Sequence, residues 1–213
     1  MQITLQQVCP VFLEKEKITS SEVWNKELHF SQGEKIQLMA PSGSGKTSFI
    51  HFLYGLRKDY AGNILFDNRN LAHFTAEETA ISRSSKVSIV FQDLRLFADH
   101  SAHENIHIKK ILNPVGGNDS ITEMASRLGI QNKLKQNAGI CSYGEQQRIA
   151  IIRALQQPFD FLVLDEPFSH LDDGNARKAM KLIEEEVEKR NAGIIMTDLA
   201  EIEFFKADRT LKL

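Results

Sequence analysis

The stretch Ser42-Gly43-Ser44-Gly45-Lys46-Thr47-Ser48 combines small residues, a lysine and hydroxyls in a spacing suited to an anion. Gly43 and Gly45 lack a Cβ, so the backbone can coil there and aim successive N–H groups at one oxyanion, which the positive end of a following helix also favours. Lys46 is then placed to reach β- and γ-phosphates, and Thr47 to offer an oxygen ligand to Mg²⁺. A second centre is Asp165-Glu166, where the apolar Phe161-Leu162-Val163-Leu164 runs into two carboxylates. Asp165 can hold Mg²⁺ through water, and Glu166 can polarise a water for attack on a γ-phosphate. Gln92 follows the apolar Val87-Ser88-Ile89-Val90-Phe91, where an amide can contact a metal or the attacking water, or simply end a surface turn. His103-Glu104-Asn105-Ile106-His107 also fits H-E-x-x-H, the spacing of two zinc ligands on one helical face.

Strands ending at one edge must position the first two centres. Residues 36–39 read as the strand before the phosphate loop, residues 87–91 and 161–164 as buried strands, and residues 194–196 as another. Ile3, Leu5 and Val8 alternate with polar residues, and with residues 28–30 and 62–67 they suggest an antiparallel β lead-in, with Asn68 tolerating positive φ in the turn. Thr75 and Glu78 have capping-box spacing. Residues 93–155 turn helical, most clearly at 121–128 and 145–155, around a loop at 113–118. Residues 176–190 are amphipathic, with residues 184–186 on the solvated side and Gly193 suited to the cap; a short helix through Phe204-Phe205 and a last strand at 210–213 follow. Glu14 to Lys17 reads as a solvated charged turn. Phe12 can stack on an adenine or be a core aromatic.

A length of 213 residues suits one α/β domain with a sizeable core. A net charge of −2 gives no bulk attraction to nucleic acid or to an anionic membrane. Cys9 and Cys141 have no C-x-x-C spacing, which disfavours a disulfide framework or zinc knuckle and fits a reducing cytoplasm. The apolar runs fall far below the roughly 20 residues needed to span a bilayer, and the first ten residues lack a signal pattern, so the chain is expected to be soluble with no direct membrane insertion.

The order Ala40 to Ser48, Val90-Phe91-Gln92, Cys141-Ser142-Tyr143-Gly144-Glu145-Gln146-Gln147-Arg148, Leu164-Asp165-Glu166-Pro167 and Ser169-His170-Leu171-Asp172 resembles an ABC-type ATP-binding cassette over essentially the whole chain. The 141–148 stretch is decisive because it looks like the family's Leu-Ser-Gly-Gly-Gln signature, with Cys141, Tyr143 and Glu145 as departures. The resemblance implies a P-loop NTPase core with a parallel sheet, an antiparallel β subdomain and a helical signature subdomain. It divides the single domain into about 1–92 with 156–213 and about 93–155. ATP and Mg²⁺ are the implied cofactors. Phe12, Ser42, Gly43, Ser44, Gly45, Lys46, Thr47 and Ser48 would bind nucleotide in one chain, and Ser142, Gly144 and Glu145 would bind it across a head-to-tail homodimer or paired cassette. Ser142 and the Gly144 N–H would start a helix, where an anion is favoured. Asp172 matches the D-loop, Gln92 the Q-loop and catalytic edge, and Thr47, Gln92 and Asp165 the metal set.

The family's Thr-His-Asp after the strand at residues 194–196 is here Met196-Thr197-Asp198, so the γ-phosphate contact of the missing histidine is expected to be made by Thr197, by water or not at all, with slow turnover in isolation. Glu104-Asn105-Ile106 matches a stretch common after the Q-loop, which favours the cassette over a zinc peptidase. The implied function is an ATPase that powers a separate transmembrane permease from the cytoplasmic face of the membrane, similar to the small lipoprotein-release, macrolide-export and cell-division cassettes. The alternatives are a soluble ABC ATPase acting on nucleic acid, for whose coiled-coil insert residues 93–140 are too short, and an ATP-gated clamp with little turnover.

Overall fold

A computed structural model describes residues 1–41, 43–113 and 119–213. Ser42 and most of the expected loop at 113–118 lie outside the described residues. In chain order the elements are β1 (Gln2–Pro10), α1 (Lys15–Ser20), β2 (Glu27–Ser31), β3 (Lys35–Met39), α2 (Lys46–Leu53), β4 (Tyr60–Phe66), β5 (Arg69–Asn70), α3 (Ala76–Ser85), β6 (Val87–Val90), α4 (Ala102–Leu112), α5 (Ser120–Arg127), α6 (Tyr143–Leu155), β7 (Phe161–Asp165), α7 (Asp173–Arg190), β8 (Gly193–Asp198) and β9 (Arg209–Lys212).

The strands form a parallel sheet, β6-β7-β8-β3-β9, and an antiparallel sheet, β2-β1-β4-β5. Central strands are buried on both faces, and their alternation sends neighbours into different layers. Leu162, Leu164, Ile194 and Met196 pack with the helices α4–α7, whereas Phe161, Val163 and Ile195 pack with α2 and the antiparallel sheet. In register, Met39 pairs with Asp198 and Asp165 with Thr197. The ends of β3, β7 and β8 thus share one edge, the place where parallel sheets expose ligand sites.

Helix starts are fixed by side chains. Thr75 with Glu78, Ser101 with Glu104, and Ser142 with Glu145 each form a capping box on α3, α4 and α6. Each satisfies backbone donors that the first helical turn leaves free, typically worth about 1 kcal/mol per cap.

Several expectations need correction. Asn191, at φ 48°, caps α7; Gly193 opens β8, where a Cβ would lie 2.6 Å from the Phe161 ring. Glu186 is buried rather than solvated, tied to Arg190 and Lys189. Phe204-Phe205 forms no helix: Phe205 is buried and Phe204 packs on Phe168, so two aromatic anchors hold an irregular segment. Residues 15–20 form a helix, not a charged turn, and its Lys17 donates to the Gly43 carbonyl at 3.3 Å.

Candidate active site

The phosphate loop leaves β3 and enters α2. Gly43 and Gly45 take φ values of 77° and 101°, which side chains disfavour, and Gly45 is the N-cap of α2. Ala40, which follows β3, is buried; its N–H donates to the Asp198 carbonyl at 3.0 Å and its carbonyl accepts from Lys46 Nζ at 2.8 Å. Lys46 also pairs with Glu166 at 3.2 Å. A cavity of about 450 Å³ is lined by Phe12, Lys17, Lys46, Thr47, Ser48 and Glu166 among others. Phe12 is 49% exposed there, and the Arg57 guanidinium lies 4.6 Å from its ring centroid. Arg57 also donates to Ser48 Oγ at 3.0 Å, joining the aromatic platform to the first turn of α2.

Asp165, Thr47 and Gln92 border a second cavity of about 340 Å³. Burial pushes the Asp165 carboxyl up, while the hydroxyls of Thr197 and Thr47 pull it back. Gln92 Nε2 donates to Glu166 Oε2 at 3.3 Å, so the amide, Glu166 and Lys46 form one chain of contacts. The residues fit a nucleotide and its metal. Ser44 Oγ is buried with no partner among the described residues, beside two glycines and a lysine at a helix start. The hydroxyl, amide and carboxylate oxygens of Thr47, Gln92 and Asp165 are the hard donors that Mg²⁺ takes.

Thr197 departs from its expected place. It is 0% exposed, lines neither cavity, and donates its hydroxyl to Asp165 Oδ1 at 2.7 Å. It therefore orients the Asp165 carboxylate from within the sheet. The next residue outward is Asp198, whose carboxyl accepts from the Leu199 N–H at 2.7 Å and is pushed up by burial, with Glu166 and Lys46 both acting on its charge. Asp198, like Thr197, lines neither of these cavities.

Ser142, Gly144, Glu145 and Asp172 line neither of these cavities. Glu145 is used within its own chain: its carboxylate accepts from Ser142 N–H at 2.8 Å and pairs with Lys133 at 3.2 Å, and the Ser142 N–H holds it below the usual carboxylate range. It is a helix cap, and a fixed carboxylate is a poor neighbour for phosphate. Asp172 caps α7, accepting from Asn175 N–H at 2.9 Å. α6 is strapped to the carboxylate edge by Gln147, which donates to the Glu166 carbonyl and accepts from the His170 N–H, each at 3.2 Å.

The H-E-x-x-H residues are arranged for a different task. Glu104 binds Ser101 N–H at 2.8 Å as a cap, and the rings of His103 and His107 stack at 5.4 Å rather than converge their nitrogens. Sequence reasoning missed Lys17, Arg57, Gln147 and Trp24. Of these, Gln147 carries a sequence signal, because it stands within the 141–148 signature stretch.

Comparison with known proteins adds to this geometry. The ABC transporter family model matches residues 23–169. The lipoprotein-releasing system ATP-binding protein LolD of Buchnera aphidicola subsp. Schizaphis graminum is 34% identical over 159 residues, covering 73% of this chain and 69% of that protein. The cell division ATP-binding protein FtsE of Bacillus subtilis is 31% identical over 169 residues, 77% of this chain and 72% of that one. Among solved structures, the dimeric ATP-binding cassette MJ0796, in a post-hydrolysis state bound to ADP and Pi, matches with a TM-score of 0.84 over 99% of this chain and 94% of its own, at 24% identity. That likeness gives the fold.

Proposed function

The chain belongs to the ABC transporter family, and on that premise we propose that it is an ATP-binding and ATP-hydrolysing subunit that dimerises head-to-tail on ATP and powers a separate membrane permease. The observation that carries the reading is the 3.2 Å approach of Lys46 to Glu166 in the cavity that Thr47 and Gln92 also line. Residues 1–213 act as one ATPase domain. Phe12 supports the base, the phosphate loop holds the phosphates, and Thr47, Gln92 and Asp165 would hold Mg²⁺. Bound there, the metal would neutralise charge on the phosphate oxygens. Glu166 then accepts a proton from the attacking water, with Gln92 orienting its carboxylate. Lys46, released from Glu166, pairs with phosphate instead.

No described helix is long and apolar enough to cross a membrane. The bilayer-spanning work is assigned to the permease and this subunit to its cytoplasmic face. The relatives named for lipoprotein release and cell division support a membrane-linked machine over action on nucleic acid. Ser142 and Gly144 lie apart from their own chain's phosphate cavity, which supports their use by a second copy.

The assembly is tested with Glu166→Gln, which removes the base and keeps the nucleotide contacts. Sedimentation should show a dimer with saturating Mg-ATP and a monomer with Mg-ADP, and adding Ser142→Arg should disperse the dimer. A monomer in Mg-ATP, or a dimer indifferent to Ser142→Arg, rejects the head-to-tail arrangement.

One observation favours the second reading, a nucleotide-gated clamp with little turnover. No histidine follows His170, and beyond the buried Thr197 stands the carboxylate of Asp198, on which the charges of Glu166 and Lys46 act; loss of one imidazole donor to transition-state charge typically costs on the order of 100- to 1000-fold in rate. Asp198→His should therefore raise basal phosphate release at least tenfold, by recovering part of that factor. A wild type that already turns over briskly, slowed by Asp198→His, removes the clamp.

A further inference from the structure

We infer that Trp24 is a positioning residue for the phosphate loop: its indole N–H fixes the Ser44–Gly45 peptide so that the Gly45 N–H is aimed at bound phosphate. The inference rests on the phosphate-loop reading above and adds a determinant of affinity outside the loop. Trp24 lies in the turn before β2 and is 0% exposed. It packs edge-on against Phe49 and Phe52 of α2, at 5.7 and 6.3 Å between ring centroids. Its Nε1 donates to the Ser44 carbonyl at 3.1 Å.

A trans peptide points its C=O and N–H in opposite directions. The Ser44 carbonyl is held on the core side by the indole, so the N–H of the same peptide, that of Gly45, must face away from the core. The ring also sets the height of the loop. A Cβ on Gly45 would lie 3.1 Å from Trp24 Cζ2, so loop and indole are already in contact and the loop cannot sink. Without the indole donor, the Ser44 carbonyl would be desolvated and unpaired, which favours rotation of the peptide and loss of the inward N–H. The turn that carries Trp24 is itself braced, because Ser21 Oγ accepts from the Trp24 backbone N–H at 2.9 Å.

Because the chain has one tryptophan, the N–H can be removed alone by biosynthetic replacement of tryptophan with benzothienylalanine, in which sulfur replaces the indole N–H in the same ring frame. Trp24→Phe is the genetic counterpart. Mg-ADP and inorganic pyrophosphate should each bind about two- to tenfold more weakly to both forms, the range expected for one hydrogen bond, while adenosine binding is unchanged. A purely structural role would lower the nucleotide-free melting temperature without separating pyrophosphate from adenosine. Unchanged pyrophosphate affinity in the benzothienyl protein, or equal losses for adenosine and pyrophosphate, overturns the inference. Lys46→Ala run in parallel separates the two levels. If it leaves pyrophosphate binding intact, the phosphate-loop reading fails; if it abolishes binding while the benzothienyl protein binds like wild type, only the role of Trp24 fails.

Discussion

Glu166→Gln should lower steady-state phosphate release by about 100- to 10,000-fold, the contribution of a positioned general base, and should leave Mg-ATP binding undiminished. Glu166 stands at the end of β7 with φ 47°, a backbone conformation that turns it out of the sheet plane and into the cavity. Asp165, one residue earlier, is buried against Thr197 and has a different environment and task. The amide of Gln keeps the volume and can still contact Gln92, but it cannot accept the water's proton. The direction of the binding change follows from the 3.2 Å contact between Lys46 and Glu166. Phosphate must displace that carboxylate from Lys46, so neutralising it removes a competitor and affinity should hold or rise. The kinetic signature is therefore a fall in kcat with KM constant or lower, which locates the loss in the transition state. A kcat reduced less than tenfold assigns the proton to another acceptor. A raised KM with unchanged kcat would make Glu166 a binding residue.

The sequence was most informative where the chemistry demands particular residue types. Lys46-Thr47, Gln92 and Asp165-Glu166 are three segments far apart in the chain, and strand register at one sheet edge brings them to adjoining cavities. Thr197 was misplaced because residue type and motif spacing leave a one-residue ambiguity at a strand end. Only the pairing of Asp165 with Thr197 shows which residue points into the sheet and which lies beyond it. Glu145 looked like a substituted nucleotide ligand, but its position three residues after Ser142 serves a capping box, a local demand competing for the same residue. The aromatic pair Phe204-Phe205 suggested a helix face. Its burial comes from contacts with Phe168 and the core, made across long sequence separations that local periodicity does not encode. Trp24 was invisible as a site residue for the same reason: its donor meets Ser44 only after β3 and α2 have folded over it.

The largest stability effect is expected at Arg153, near the end of α6. Its guanidinium is buried and donates to the carbonyls of Leu94 and Arg95, to the latter at 2.7 Å. Both acceptors sit in left-handed conformations, at φ 57° and 48°, in the turn that follows Gln92. Leu and Arg disfavour that region, so the turn needs an external hold, and Arg153 supplies it with a rigid fork of donors. Burial pushes the Arg153 pKa down to about 10, which still leaves it charged at neutral pH. Arg153→Ala deletes both charge-assisted bonds and leaves two carbonyls in a site with less water, a loss of about 3–5 kcal/mol in chemical denaturation at pH 7. Arg153→Lys should recover only part, because an ammonium has no planar fork to span adjacent carbonyls. The same turn carries Arg95 over the Phe91 ring at 3.9 Å and holds Gln92 beside Glu166. Arg153→Lys should therefore slow phosphate release at temperatures where the protein remains folded, with Mg-ADP affinity unchanged. A loss below about 1 kcal/mol for Arg153→Ala would mean that the turn holds itself. Unaltered turnover in a folded Arg153→Lys protein would mean that Gln92 is positioned from the β6 side alone.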